Sequence, residues 1–203
     1  MAKFGLLNAT ALDNKTTGYF AAVYQDSVNK RAVYVNRGTD DGQDAVVDVL
    51  QGLGKDNGQY FQAYQNAITM QIADPHVVFV GHSLGGGLAT LQSLATQRPA
   101  WTYNAASLSE GTMAKYDLSD VHAARLIQSY YVCGEAISLI QDQPSMSVSG
   151  SPLLEKLTTL PTAQGQRIAL TPPRSYVSAD WSVKMHYMSS VIGSLFEQLA
   201  EFH

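Results

Sequence analysis

The sequence predicts an α/β fold in which a mostly parallel sheet is covered by helices on both faces. Apolar, strand-like runs alternate along the chain with segments whose apolar residues recur at helical spacing. The run at residues 77–80 is apolar at every position, as expected of a parallel strand that is buried on both faces. Strands that alternate with helices in this way form parallel sheets with a layer of helices on each side.

Two strands and two helices are predicted in the first part of the chain. Residues 19–25 and 31–36 are rich in apolar, β-branched and aromatic side chains, and the five residues between them predict a hairpin loop. Apolar residues at helical spacing then predict helices over residues 44–53 and 59–72.

The buried strand at residues 77–80 leads directly into another predicted helix. Residues 84–97 have the composition of a helix. Arg98-Pro99 ends it, because the residue before a proline is pushed out of helical geometry. A strand, a sharp turn and a helix are therefore expected in series.

The middle of the chain predicts two further strands, at residues 101–105 and 126–133. A loop and one short helix, which ends near Ala124, separate them. The second of these strands leads into Gly134-Glu135.

The last part of the chain predicts an excursion, a strand and a helix. Residues 141–165 are rich in Pro, Ser, Gly, Gln and Thr, which indicates a segment outside the sheet that could roof a pocket. A last strand follows near residues 167–170. Residues 186–202 carry an apolar stripe at helical spacing, which predicts a closing helix that begins at His186.

Size and composition indicate one α/β domain over residues 1–203. A chain of 203 residues with 45% hydrophobic residues is long enough for one continuous core and short for two. The net charge of -4 is spread without runs, so we expect no nucleic-acid partner. The single cysteine, Cys133, excludes an internal disulfide, and no cofactor or metal site is indicated.

The chain has no apolar run of the roughly 20 residues that a membrane-spanning helix requires. Its first residues also lack the pattern of a signal peptide. The sequence therefore predicts a soluble protein that is cytoplasmic, exported by a non-classical route, or cut from a longer protein. It does not indicate an oligomeric state.

Gly81-His82-Ser83-Leu84-Gly85 matches the Gly-x-Ser-x-Gly nucleophile elbow of α/β-hydrolases. The match lies where the chemistry requires it, directly after a buried strand and before a helix. Glycines allow the sharp turn that makes the serine hydroxyl project from the end of the sheet. Ser83 is therefore the predicted nucleophile, and His82, whose side chain should point away from it, is interpreted as a packing or hydrogen-bonding residue.

A serine hydroxyl needs a base within hydrogen-bonding reach, and the chain order in this fold is serine, acid, histidine. His122 precedes the expected acid, and His203 is the terminal residue. The remaining histidine, His186, is therefore the predicted base.

Glu135 is the predicted acid. It follows the strand that ends at Cys133, so it should emerge at the same carboxyl edge of the sheet as Ser83. Four aspartates remain open as alternatives for this role: Asp142, Asp180, Asp117 and Asp120.

Acyl transfer also needs hydrogen-bond donors for the oxyanion. The backbone N–H of Leu84 is one, because it follows the nucleophile. Thr39 follows an early strand and could supply its N–H and its hydroxyl. On the residues alone, a helix cap formed by Thr39 or Asp40 is an equal alternative.

These motifs resemble those of the class 3 lipase family, in which an Arg-Gly-Thr or Arg-Gly-Ser oxyanion motif precedes Gly-His-Ser-Leu-Gly-Gly. Here they stand as Arg37-Gly38-Thr39 and residues 81–86, and the resemblance covers residues 19–139. It implies that Thr39 serves the oxyanion and that the histidine near the last helix, His186, is the base. The family acid is usually an aspartate, whereas Glu135 stands at the matching place.

The class 3 lipase resemblance also implies a lid after the oxyanion motif, but residues 40–58 are short for one and better match a core-facing helix. Residues 141–165 and 171–185 are then the expected pocket walls. The predicted function is hydrolysis of lipid carboxylic esters by a lipase or esterase, with transient contact with a lipid interface. A phospholipase or toxin-like effector domain, and a non-catalytic binding module, are the alternatives.

Overall fold

The computed structural model describes residues 6–38, 58–142, 161–174 and 181–201. Within them, seven strands form one sheet and lie side by side in chain order. The strands are β1 (Leu6–Asn14), β2 (Tyr19–Asp26), β3 (Arg31–Asn36), β4 (Val78–His82), β5 (Ala100–Tyr103), β6 (Ile127–Val132) and β7 (Gln166–Leu170).

The sheet is mostly parallel, as predicted. β1, β2 and β3 pair antiparallel through two tight connections, whereas β3 to β7 pair in parallel. Asn36 at the end of β3 pairs with Gly81 near the end of β4. The carboxyl ends of β3, β4, β5 and β6 therefore meet at one edge, where parallel sheets bind their ligands.

Seven helices lie among the described residues. They are α1 (Gln59–Ala73), α2 (Leu84–Thr96), α3 (Glu110–Lys115), α4 (Ala123–Leu126), α5 (Ala136–Asp142), α6 (Trp181–His186) and α7 (Met188–Glu201). None of these helices is both long and apolar enough to cross a membrane.

Three predictions about the elements were wrong. Strand β1 was not predicted, so the hairpin at residues 19–36 forms the second and third strands. Two short helices, α3 and α4, stand where one was expected, and α4 continues to Leu126. The closing helix does not begin at His186, because α6 ends there and α7 starts at Met188. The helix predicted over residues 44–53 lies outside the described residues.

The main core lies between the sheet and helices α1 and α2. Helix α2 is buried on almost every side, and its Leu88 and Leu91 pack in the same cluster as Tyr34 and Phe79 of the sheet. Such a helix needs apolar or small residues all round, which matches its sequence of leucines, alanines and glycines. Because α2 begins directly after Ser83, this packing holds the serine against the sheet.

A second, smaller cluster holds the end of the chain against the sheet. Val132 of β6 and Leu170 of β7 pack with Met185 of α6 and Val191 of α7, and all four are buried. This cluster brings His186, the last residue of α6, towards the carboxyl edge where β6 ends.

Candidate active site

Ser83 occupies a strained backbone conformation between β4 and α2. Its φ is 59° and its ψ is -127°, in the left-handed half of the map that residues with a side chain rarely adopt. A Cβ at Gly81 would overlap the Gly85 carbonyl oxygen, and a Cβ at Gly85 would lie 2.6 Å from the Asn36 carbonyl oxygen. Both glycines of the motif are therefore required by close backbone approach, and the strain is held by packing.

Backbone hydrogen bonds fix Ser83 to the neighbouring strand as well. Its N–H donates to the Tyr103 carbonyl at the end of β5, at 3.0 Å. Its own carbonyl accepts from the N–H of Ala106, also at 3.0 Å, and from the N–H of Gly86 in the first turn of α2. The position of the Ser83 hydroxyl thus follows from main-chain geometry.

The structure brings His186 and Ser83 together, although 103 residues separate them in sequence. The distance from His186 Nε2 to Ser83 Oγ is 2.8 Å, and His186 is only 2% exposed. On its other side, His186 Nδ1 lies 2.7 Å from Glu135 Oε2. Nδ1 donates to the carboxylate, so neutral His186 presents Nε2 as an acceptor for the serine hydroxyl.

Glu135 is fully buried, and its carboxylate is held by the first turn of α5. It accepts hydrogen bonds from the backbone N–H groups of Ile137 at 3.0 Å and of Ser138 at 2.5 Å. Burial alone would raise the pKa of Glu135, but the hydrogen bond and charge of His186 and the bonds from Ser138 outweigh it. The pKa of Glu135 therefore lies below its ordinary value, and the carboxyl is ionised at neutral pH.

The alternative acids have other surroundings. Asp142 forms an ion pair with Arg167 at 2.7 Å, on the outside of the site. Asp117 and Asp120 are exposed, as is His122, one of the histidines excluded as a base. Asp180 and His203 lie outside the described residues. Among the residues described, Glu135 is the carboxylate that contacts His186.

His82 is a hydrogen-bonding residue, in line with the interpretation from the sequence. Its Nε2 donates to the backbone carbonyl of His186 at 2.6 Å, and the two rings lie 4.9 Å apart. Burial, followed by the proximity of His186, lowers the pKa of His82 from 6.5 to about 4. His82 is thus neutral at physiological pH and keeps a donor for this bond.

Asn104 reaches the same carbonyl and was not identified from the sequence. Its amide donates to the carbonyls of Met185 and His186, at 2.9 and 3.0 Å. Asn104 follows β5 with a positive φ of 43°, a conformation in which asparagine is enriched. The predicted strand at residues 101–105 included Asn104, whereas β5 ends at Tyr103, so the sequence did not mark Asn104 as a residue of the carboxyl edge.

The candidate oxyanion donors lie on the other side of Ser83. Leu84 is the first residue of α2, and the first N–H groups of a helix have no partner within it. Gly38 approaches closely, since a Cβ there would lie 2.7 Å from the His82 carbonyl oxygen and 3.3 Å from Ser83 Cβ. Thr39, the residue after it, lies outside the described residues.

The strand–elbow–helix arrangement and the parallel sheet define an α/β-hydrolase fold. A sequence model described as a phospholipase-like, Tle-like phospholipase domain matches residues 1–175, and the chain belongs to this family. The extracellular phospholipase A1 of Serratia liquefaciens is 30% identical over 205 residues, which cover 96% of this chain and 61% of that protein. The chain thus spans about three fifths of the length of this relative.

A triacylglycerol lipase from Penicillium expansum has a similar solved structure. The TM-score is 0.51 at 14% identity, and the match covers 83% of this chain and 70% of that one. This likeness confirms the predicted fold. Together with the family match, it confirms the resemblance to class 3 lipases.

Proposed function

We propose that this protein hydrolyses carboxylic ester bonds of lipids through an acyl-enzyme formed on Ser83. The observation that carries the proposal is the unbroken chain of hydrogen bonds from Ser83 Oγ through His186 to Glu135, at 2.8 and 2.7 Å. A buried base between a serine hydroxyl and an ionised carboxylate is the arrangement that activates serine for attack on a carbonyl.

In the first half of the reaction, Ser83 Oγ attacks the ester carbonyl carbon while His186 Nε2 takes the hydroxyl proton. The imidazolium that forms is stabilised by Glu135, which stays ionised because its pKa is lowered. The tetrahedral intermediate then collapses, the bond to the alcohol oxygen breaks, and His186 returns the proton to the leaving alcohol. In the second half, water attacks the acyl-enzyme with His186 again as the base, and the fatty acid leaves.

We assign the oxyanion to the N–H of Leu84 and to the N–H and hydroxyl of Thr39. The close approach of Gly38 to the His82 carbonyl supports this assignment, because it puts the chain beside the nucleophile one residue before Thr39. In Thr39→Val, loss of a hydroxyl donor should lower kcat by about 10²-fold to 10³-fold at unchanged melting temperature. A helix cap would instead cost roughly 0.5–2 kcal/mol of stability and leave kcat unchanged.

Phospholipids are the substrate class that we propose. The family description and the phospholipase A1 of Serratia support this choice. The direct experiment compares the release of fatty acid from phospholipid vesicles, triglyceride emulsions and p-nitrophenyl esters of increasing chain length, with Ser83→Ala as the control. We expect phospholipids to be cleaved fastest. Faster cleavage of triglyceride would identify a lipase, and no Ser83-dependent hydrolysis of any ester would overturn the proposal.

We further propose that the protein acts at a lipid interface outside the cell that makes it. This proposal is based on the relative from Serratia, which is named as an extracellular phospholipase A1. Immunoblots of culture medium and washed cells would test the location. Retention of the protein inside intact cells at all growth stages would contradict it.

A further inference from the structure

The short helix that carries His186 ends against side chains from two other elements. Helix α6 has six residues, too few to be stable by itself. The carbonyls at its end, those of Met185 and His186, are groups that a helix leaves without an internal partner. Asn104 donates to both, at 2.9 and 3.0 Å, and His82 donates to the second, at 2.6 Å.

Asn104 is also tied to the strand that leads to Glu135. Its side-chain oxygen accepts from the N–H of Val132, the last residue of β6, at 2.9 Å. Its backbone N–H donates to the carbonyl of Tyr130 in the same strand, at 2.8 Å. One fully buried carboxamide therefore connects the end of β6 to the end of α6.

We propose that Asn104 is a positioning residue that holds the backbone of His186 in register with Glu135 and Ser83. This inference rests on the proposed function, since it concerns the geometry of the same site. Asn104 touches no reacting atom; it acts through the main chain of the base. His82, the last residue of β4, supplies a second donor to the same carbonyl.

The geometry makes the expected effect large for a residue outside the reaction. Without the amide, two buried carbonyls lose a donor, and the main chain at the end of the six-residue helix keeps the bond from His82 to the His186 carbonyl. A displacement of the base by about 1 Å can cost about 10²-fold in rate even when the mutated residue is remote from the chemistry. KM should change little, because the substitution acts on the position of His186 and not on the elements that hold Ser83.

The positive φ of Asn104 provides a clean substitution. Glycine adopts this conformation without strain, so Asn104→Gly removes the carboxamide without forcing a change in the backbone conformation. Asn104→Asp is nearly isosteric and keeps the acceptor for Val132. It replaces the donor with a carboxylate oxygen that faces two carbonyl oxygens, so it tests loss of the donor together with the repulsion that the new charge adds.

Gln92 offers a matched control. It is a fully buried carboxamide that donates to the Ala63 carbonyl at 3.2 Å and accepts from Asn36 at 2.7 Å. It lies in the third turn of α2, away from His186. Gln92→Leu should lower the melting temperature without changing kcat per folded molecule.

The experiment measures kcat, KM and melting temperature of the wild type and the three variants with a soluble p-nitrophenyl ester. We expect kcat to fall about 10-fold to 100-fold in Asn104→Gly and at least as far in Asn104→Asp, with KM within about twofold. Gln92→Leu should keep the wild-type kcat, although its melting temperature should fall by about as much as those of the Asn104 variants. If Asn104→Gly does not fold, Asn104→Asp is judged by the same criterion.

Wild-type kcat in Asn104→Gly or Asn104→Asp would overturn the positioning role while leaving the proposed function intact. An equal loss of kcat in Gln92→Leu would also overturn it, because the effect would then follow stability. Absence of Ser83-dependent hydrolysis in the wild type would instead contradict the proposed function itself.

Discussion

Ser83 and His186 are held in place by different kinds of structure. Ser83 lies in a continuous strand, turn and helix, and its strained conformation is enforced by glycine contacts and by main-chain hydrogen bonds. His186 ends a six-residue helix, and side chains from β4 and from the end of β5 hold its carbonyl.

The difference has consequences for how each part fails. The elbow depends on the absence of side chains at Gly81 and Gly85, so it is sensitive to any added atom. The carbonyl of His186, the proposed base, is held by hydrogen bonds from His82 and Asn104, so we expect its position to be sensitive to substitutions that remove these donors. Substitutions in the elbow should lower stability and activity together. Substitutions of His82 or Asn104 should lower activity more than stability.

The largest effect is expected from removing the proposed nucleophile and base. Ser83→Ala and His186→Ala should each lower kcat by about 10⁴-fold to 10⁶-fold, because the members of such a site act as a unit. Ser83→Ala should leave the melting temperature nearly unchanged, whereas His186→Ala should lower it, because the buried Glu135 carboxylate loses its partner. Steady-state kinetics beside thermal unfolding tests this, and near-normal turnover of His186→Ala would show that the base is elsewhere.

Replacing Glu135, the proposed acid, should have the next largest effect. Glu135→Gln keeps much of the local geometry but removes the charge that stabilises the imidazolium, so kcat should fall by ~10²-fold or more. Asp142→Asn is the control, because Asp142 pairs with Arg167 and should leave kcat near the wild-type value. A crippled Asp142→Asn beside an active Glu135→Gln would reverse the assignment of the acid.

These two sides of the site also differ in how readily they were predicted from the sequence. The elbow lies within five consecutive residues, and its strand and helix carry strong apolar patterns, so Ser83 followed from local sequence. Glu135 followed from its place after a strand, and His186 from chain order and elimination. The catalytic roles of these residues stay predictions until the variants are measured.

The contacts that hold His186 could not be predicted in the same way. Asn104 and His82 are 82 and 104 residues from the histidine whose carbonyl they bind, and no periodicity links such partners. Strand β1 was missed because its residues, LLNATALDN, mix polar and apolar types and form a strand by pairing with β2. The interruption between α6 and α7 at Tyr187 was not predicted, because apolar residues continue on both sides of it.

An added methyl group in the elbow should cost stability as well as rate. In Gly81→Ala the new Cβ meets backbone atoms of Gly85 and Gly86, which cannot move aside as a side chain could. We expect a loss of about 3 kcal/mol or more in the free energy of unfolding, together with lost activity. Urea unfolding of the purified variant measures the loss.

Gly111 provides the matched control for this change. It lies in α3, and the nearest atom to an added Cβ is Ser109 Oγ at 3.8 Å. Gly111→Ala should therefore stabilise the protein by about 0.5–1 kcal/mol, as alanine does within helices. Equal stability of the two alanine variants would refute the account of the elbow.

The smallest effect concerns the pH dependence of stability on the histidine side of the site. The folded pKa of His82 is about 4, below its ordinary 6.5, so the unfolded chain binds more protons between these values. The stabilising contribution is therefore complete above pH 6.5 and is lost as pH falls towards 4. The lowered pKa of Glu135 acts in the same direction below its ordinary value of 4.5.

His82→Gln keeps an amide donor for the His186 carbonyl but does not titrate. Between pH 6.5 and 4, the free energy of unfolding should fall by roughly 2 kcal/mol more in the wild type than in this variant. One pKa unit corresponds to about 1.4 kcal/mol, and partial solvent access of His82 reduces the total. Urea unfolding across this pH range gives the two curves. Parallel curves would show that His82 is not the group responsible.

The most direct test of the central claim is labelling by an active-site-directed fluorophosphonate, followed by intact mass measurement and peptide mapping. The reagent requires an activated serine, so the hydrogen-bonded chain from Ser83 to Glu135 predicts one adduct per molecule, located on Ser83. His186→Ala should label far more slowly, and Ser83→Ala should not label. An unlabelled wild type, in conditions that label another serine hydrolase, would contradict the claim, as would an adduct on a different residue.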